Sequence, residues 1–368
     1  MSDDLKFFIN ESTIQNMFAL KKQTGFGEKN WDEWFNHVLN LNNDIKPIQN
    51  VIEKTMEKFH LESFDEWVQN FSLNLNNIWN EPSARELQPT TDSQYNLHKH
   101  SAIVIGRGPS VKKHRHLELI ANSDYKGSIV CTDGALINAL KAGVTPEKFP
   151  NFYVVTIEPR DVVKKFYDDE IVDQYGPKIN GIFSTISKPS NVERARQAGI
   201  KIHWLHSLFD YEAGNKSFNK IAGLMVRSKN HSHGLPAIQT GGNVGTSSWF
   251  VSWQILKCST VALIGINHAW DEDDPWELIT SHGRSDVSLN LDRNNPNFQK
   301  LFPKVYNPEF KCTCILDPLF QFYSAALKEF ISRSPSWLTT INSTEGGCIF
   351  GEKIHCMLLT EFLNNHKN

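Results

Sequence analysis

Glycine is almost missing from the first quarter of the chain. Of 21 glycines in 368 residues, only Gly25 and Gly27 precede residue 100. That scarcity excludes the tight, glycine-dependent turns of an α/β unit from this part. An excess of one charge is missing too. With 38 basic against 41 acidic side chains and a net charge of −3, bulk attraction to nucleic acid or to a membrane is excluded. No run of about 18 apolar residues is present, so no membrane-spanning helix is expected. The acidic start, Met1-Ser-Asp-Asp-Leu-Lys-Phe-Phe8, lacks the basic-then-apolar order of a secretory signal, and a cytoplasmic location is expected. Cysteines are few, and only Cys312 and Cys314 are close together. One C-x-C falls short of the four ligands of structural zinc. The six thiols read as free, as in a reducing compartment, and no metal site is assigned.

What is present divides the chain. Residues 1–98 hold 8 basic and 15 acidic side chains, and the remainder 30 and 26. An acidic, glycine-poor segment before a glycine-rich one reads as a small helical domain over 1–80, a linker over 81–100 and an α/β domain over 101–368. In the first, Trp31, Trp34, Phe35, Val38 and Leu39 follow helical spacing. Stretches from Ile48 to Phe59 and Phe64 to Ile78 do the same. Trp31-Asp-Glu-Trp34 and Phe64-Asp-Glu-Trp67 read as two similar helix starts, with acids in the first turn. This aromatic-rich domain is a candidate surface for a protein partner. The linker is polar and holds Pro82 and Pro89.

Beyond residue 100, short apolar runs alternate with helical stretches. Ala102–Ile105, Ser128–Cys131, Phe152–Ile157, Ile182–Ser184, Ile202–Leu205, Val261–Ile264 and residues 338–341 read as strands. Helices are expected over 244–257, 319–332 and 353–364. The pattern predicts a mostly parallel sheet with helices on both faces. Residues 268–315, with several prolines and little periodicity, read as an inserted loop or lid.

Six places carry candidate chemistry. Ile105 runs into Gly106-Arg-Gly108-Pro109-Ser110, where glycines permit close approach of a backbone and a helix start suits phosphate. The spacing is neither G-x-G-x-x-G nor a Walker loop, and a plain tight turn remains open. Asp133 ends the second strand, where a ribose is gripped in many nucleotide folds; it fits a helix cap equally well. Glu158 ends the third strand beside Pro159 and Arg160, as a ligand-binding acid or a polar turn residue. Thr240-Gly241-Gly242-Asn243 opens a helix and suits an anion or sugar. His268 follows the strand Val261–Ile264, where a general base works near neutral pH, although a structural histidine is the commoner case. Glu345-Gly346-Gly347 lies late in the chain, again with room for a ligand. The pairs His114/His116 and His231/His233 read as solvated loop residues.

In order, these pieces resemble one family. Strand–GxGPS, Thr132-Asp-Gly-Ala135, Ala142-Gly-Val-Thr-Pro146, the T-G-G helix start, Leu263-Ile-Gly265 and Thr344-Glu-Gly-Gly347 are similar to the domain shared by Maf motility-accessory proteins and the archaeal pterin diphosphokinase MptE. The resemblance spans roughly residues 100–365 and implies a Rossmann-like fold. It implies a nucleotide-dependent transferase with a nucleotide-type donor, a CMP-sugar or ATP, and an acceptor that stays unknown. Maf proteins imply transfer of a CMP-activated nonulosonic sugar; MptE implies diphosphate transfer from ATP with Mg²⁺. By resemblance, Gly106, Gly108, Pro109 and Ser110 cradle phosphate, Asp133 meets the nucleoside or its metal, and Thr240, Gly241, Gly242 and Asn243 line the donor. Glu345, Gly346 and Gly347 join them, and His268 and Glu158 are the catalytic candidates. The pterin kinases carry a D-x-D cluster after the third strand, where this chain has Thr156-Ile-Glu158-Pro-Arg160. That favours sugar transfer, since Mg²⁺ prefers several carboxylate or phosphate oxygens. A non-catalytic nucleotide-binding scaffold is the third reading.

Overall fold

The computed structural model describes residues 48–89, 100–208, 218–227, 234–280, 282 and 298–366. The helical spacing at Trp31–Leu39, the first of the two similar aromatic pieces, and the His231/His233 pair lie outside them.

The long helix α1 spans Ile48–Asn80. Two helices were expected here, but no glycine or proline separates Phe59 from Phe64, so one helix runs through. Phe64-Asp-Glu-Trp67 is therefore mid-helix and not a start. The α/β part follows as β1 Ser101–Ile105, α2 Ser110–Lys113, α3 His116–Ala121, β2 Ser128–Thr132, α4 Leu136–Lys141, β3 Phe152–Thr156, β4 Asn180–Ser184, α5 Pro189–Gln197, β5 Lys201–Ser207, α6 Phe218–Arg227, β6 Ala237–Ile238 and α7 Val244–Phe250. Then come β7 Thr260–Ile264, β8 Trp270–Asp271, β9 Lys304–Asn307, β10 Cys312–Ile315, α8 Pro318–Ser332, β11 Thr339–Asn342, β12 Ile354–Cys356 and α9 Leu359–Asn365.

Nine strands form one sheet in the order β12-β11-β7-β1-β2-β3-β4-β5-β6. Every pairing in it is parallel. The expected α/β architecture with helices on both faces is what the chain adopts. Alternation along β1 shows how: Ile103 and Ile105 join one core, Ala102 and Val104 the other. The first core is closed by Leu136 and Leu140 of α4, Val192 of α5 and Phe362 of α9. Trp249 of α7 and Leu327 and Ile331 of α8 close the second.

Three expectations change. Part of 268–315 is not loop, because β8, β10 and β9 make a small antiparallel sheet. Residues 353–364 are not one helix, because β12 comes before α9 and pairs with β11. Residues 81–89 are anchored. Glu81 meets Arg196 at 2.6 Å and accepts the Trp204 indole N–H at 2.8 Å, and Ala84 is fully buried. Helix α1 is tied down as well. The Asn70 amide donates to the Pro159 and Ile186 carbonyls, and the Asn74 amide to those of Thr185 and Ser187. The expected boundary at 81–100 is thus crossed by buried hydrogen bonds from α1 to loops after β3 and β4. Residues 90–99 lie outside the described residues.

Candidate functional site

The winding of the sheet selects one edge. From β1 the chain progresses through β2 to β6, then crosses back to place β7 on the other side of β1. The carboxyl ends of β1 and β7 therefore flank a topological switch point, where open α/β sheets bind ligands. The loops after β1, β2, β3, β7 and β11 and the start of α7 all reach this edge.

The glycines after β1 are required by the protein itself. The N–H of Gly106 donates to the Ile264 carbonyl, and that of Gly108 to the Gly265 carbonyl, both at 2.8 Å. A Cβ on Gly106 would lie 2.4 Å from the Gly265 oxygen, and one on Gly108 2.2 Å from Asn267 Oδ1. The Ser110 hydroxyl donates to Asn267 Oδ1 at 2.9 Å. The two amides expected to face phosphate are therefore spent on the neighbouring strand end, and α2 is only one turn long. What the turn presents outward is Arg107, exposed, with its guanidinium 5.1 Å from the Phe166 ring.

The same economy governs Thr240–Asn243. Gly241 and Gly242 have φ of +55° and +80°, values that favour glycine. The Asn243 side chain caps α7 by accepting the Thr246 N–H at 2.9 Å and donates to the Gly241 carbonyl. Positions for a Cβ on Gly245 and on Gly106 both meet Ile266 Cδ1, at 2.7 and 2.4 Å, so the α7 start abuts the β1 turn. Asp133 joins them through Arg107, whose Cδ lies 3.0 Å from where a Gly134 Cβ would sit. Ser110, Asp133 and Asn243 thus share one edge.

Asp133 is the most perturbed acid there. It is 4% exposed and accepts the Gly134 N–H at 2.7 Å and the Thr156 hydroxyl at 3.1 Å. Burial, aided by nearby Glu158, raises its pKa to about 7, while those hydrogen bonds and Arg107 oppose the rise. Glu158 is engaged differently: its two oxygens take Arg160 Nε at 2.6 Å and Nη2 at 3.2 Å. This carboxylate orients a guanidinium. The pair suits Mg²⁺ poorly, since one acid is forked onto Arg160 and the other is buried on donors of its own.

His268 is at the end of β7 as expected, yet it is a poor base. Burial first, then His282 and Lys328, lowers its pKa to about 3. Its Nδ1 has no partner among the described residues. Glu345 also departs from expectation. With φ of +59°, it turns from the edge to accept the Leu359 N–H at 3.0 Å, capping α9, and to meet His116 at 3.3 Å and His114 at 3.6 Å. His116 is fully buried and stacked on His114 with ring centroids 5.4 Å apart. These are not solvated loop histidines, and burial lowers the His116 pKa against the pull of Glu345. Gly347 packs on the backbone of Asn267, whereas a Cβ on Gly346 would meet open space.

Sequence reasoning missed Tyr323, Asp317 and His282. The Tyr323 ring occupies the space a Gly242 Cβ would need, at 2.6 Å. Burial raises its phenol pKa, and Asp317 and Glu158 add to the rise. Asp317-Pro318 is a helix-start signature that could have flagged Asp317 as a cap. Nothing local marks His282.

The family described as 6-hydroxymethylpterin diphosphokinase MptE-like matches residues 69–273, more than half of the chain. No curated protein matches it significantly. Among solved structures, a MAf glycosyltransferase from Magnetospirillum magneticum AMB-1 aligns at 16% identity and a TM-score of 0.48. The alignment covers 75% of this chain and 37% of that one.

Proposed function

The chain belongs to the MptE-like family, and from that premise we propose that it is a nucleotide-dependent transferase acting at the carboxyl edge of β1, β2 and β3. The observation that carries the proposal is the meeting of Arg107, Asp133 and the Glu158–Arg160 pair along the carboxyl ends of β1, β2 and β3, beside the switch point. Two guanidiniums answer the charge of a donor phosphate, and Asp133 is placed for the nucleoside. Glu158 holds Arg160 and does not act as a base. The glycines of 106–110 and 240–243 set the shape of the edge, with Thr240 accepting the Gly242 N–H. Gly346, beside open space, stays a candidate donor contact.

Between donors, the fork of Glu158 onto Arg160 supports a CMP-activated nonulosonic sugar over metal-bound ATP. Displacement at the anomeric carbon leaves CMP, whose phosphate charge grows as the bond breaks. Fixed cations there stabilise the transition state more than the ground state. The family's description supports a second reading, diphosphate transfer from ATP to a pterin alcohol.

A thermal-shift panel of CMP, CTP, ATP and GTP, with and without Mg²⁺, separates them. Stabilisation by CMP without metal is expected. Stabilisation by ATP alone, and only with Mg²⁺, would replace sugar transfer by the kinase reading. Binding with no turnover of any donor would leave a scaffold.

A further inference from the structure

We propose that His282 is the general base toward the acceptor hydroxyl and that Asp317 is the residue that positions it. This deepens the transferase reading and rests on it.

Asp317 is 2% exposed and immobilised by three donors. Its Oδ1 accepts the Phe320 N–H at 2.8 Å, capping α8. Its Oδ2 accepts the Trp270 indole N–H at 2.6 Å and faces His282 Nδ1, also at 2.6 Å. A carboxylate only accepts, so the contact assigns the imidazole proton to Nδ1 and leaves the lone pair on Nε2. That nitrogen has no hydrogen-bond partner among the described residues, and the side chain is 23% exposed. The ring is held by Phe320, Trp270 and Tyr323, at centroid distances of 4.2, 5.4 and 6.4 Å. An oriented imidazole with an open far nitrogen is the arrangement a general base requires.

Its position follows from Tyr323. That ring touches the Gly242 turn on one side and lies within electrostatic reach of Glu158, Arg160 and Asp317. His282 therefore stands at the rim where Arg160 and the α7 start face the proposed donor. His268 stacks on Phe320 and meets Tyr323 at a tilt from within, buried and uncharged.

In the step itself, the acceptor O–H gives its proton to Nε2 while an oxygen lone pair forms the bond to the anomeric carbon. The bond from that carbon to the phosphate oxygen breaks, and its electron pair leaves with CMP. Asp317 stabilises the imidazolium, which then returns its proton to water. If ATP is the donor, the oxygen attacks phosphorus, AMP leaves, and the proton follows the same path.

Two measurements on the full chain test this. The first is acylation by diethyl pyrocarbonate at neutral pH, mapped by mass spectrometry. His282 should react at least about tenfold faster than His268 and be protected by whichever nucleotide raises the melting temperature. If no nucleotide raises it, the transferase reading falls and takes this proposal with it. If one does and His282 stays unreactive or unprotected, this proposal alone is overturned. The second is hydrolysis of CMP-N-acetylneuraminic acid and of ATP, with water as acceptor. For a donor the protein turns over, His282→Asn should lose on the order of 100-fold in kcat, with KM and the nucleotide thermal shift retained and partial rescue by free imidazole. Undiminished turnover in that variant would overturn the assignment; if neither donor is turned over, the labelling result decides.

Discussion

Two stretches of the same sheet edge use their residues in opposite ways. Around β1, β7 and β11, the loops are occupied with one another: Gly106 and Gly108 donate to the Ile264 and Gly265 carbonyls at and just beyond the end of β7, Ser110 to Asn267, and Gly347 lies on the Asn267 backbone. From Arg107 on the β1 turn, across the loops after β2 and β3, to the start of α8, polar side chains stand at the rim: Arg107, Arg160 forked by Glu158, and His282 hydrogen-bonded to Asp317. The first stretch is scaffold built from main chain, and the second is the chemically available part. Glycine-rich sequence thus marks where the strand-end turns are without marking which side chains stand beside them.

Damage to the first stretch should appear as lost stability. Gly108→Val puts carbon 2.2 Å from Asn267 Oδ1 and 2.6 Å from the Gly265 oxygen. A loss of roughly 3 kcal/mol or more, or failure to fold, is expected from such overpacking. Thermal and urea melts check it. A normal melt with lost nucleotide binding would reverse the contrast.

In the second stretch, function and stability should oppose each other. Asp133 has a folded pKa of about 7, above its unfolded value, so folding favours its protonated form. Its stabilising effect is complete below about pH 4, declines as pH rises through about 7, and then levels off. Asp133→Asn should therefore melt above the wild type at pH 8, by up to roughly 4 kcal/mol at about 1.4 kcal/mol per pKa unit, with the difference vanishing near pH 4. Parallel melting curves at the two pH values would show that the acid is not desolvated.

Asn74→Ala strips hydrogen bonds from the buried carbonyls of Thr185 and Ser187. A loss of about 1–3 kcal/mol in urea denaturation is expected, which would class α1 with the scaffold. An unchanged midpoint would make it a detachable element. The smallest energetic change is the most diagnostic. Arg107→Ala should weaken nucleotide binding about tenfold, roughly 1.4 kcal/mol, and leave the melting temperature of the free protein within about one degree. Calorimetric titration and a melt on the same preparation decide it.

Much of the fold was legible because period-two and short apolar patterns survive in single strands such as Ala102–Ile105 and Val261–Ile264. The two-residue strand β6 and three-residue strand β12 are too brief to show a period, and β12 was absorbed into a helix. That the strand-end glycines and acids share one edge was legible from their order along the chain, whereas the partners of those residues were not. Glu158 sits two residues from the arginine that occupies it, yet nothing in that spacing requires the fork. Glu345 reads as a ligand residue until a left-handed φ turns it to α9. Asp317 and His282 are 35 residues apart, so only folding reveals the pair.

Helix α1 holds the loops after β3 and β4 through the Asn70 and Asn74 amides, which donate to main-chain oxygens, and through one side-chain pair, Glu66 with Lys188 at 2.9 Å. Lys188 apart, the loops after β3 and β4 can therefore exchange side chains over time without loosening the amide contacts, provided the backbone path holds. In the proposed transferase, specificity can drift along the rim while the clamp beneath it stays the same.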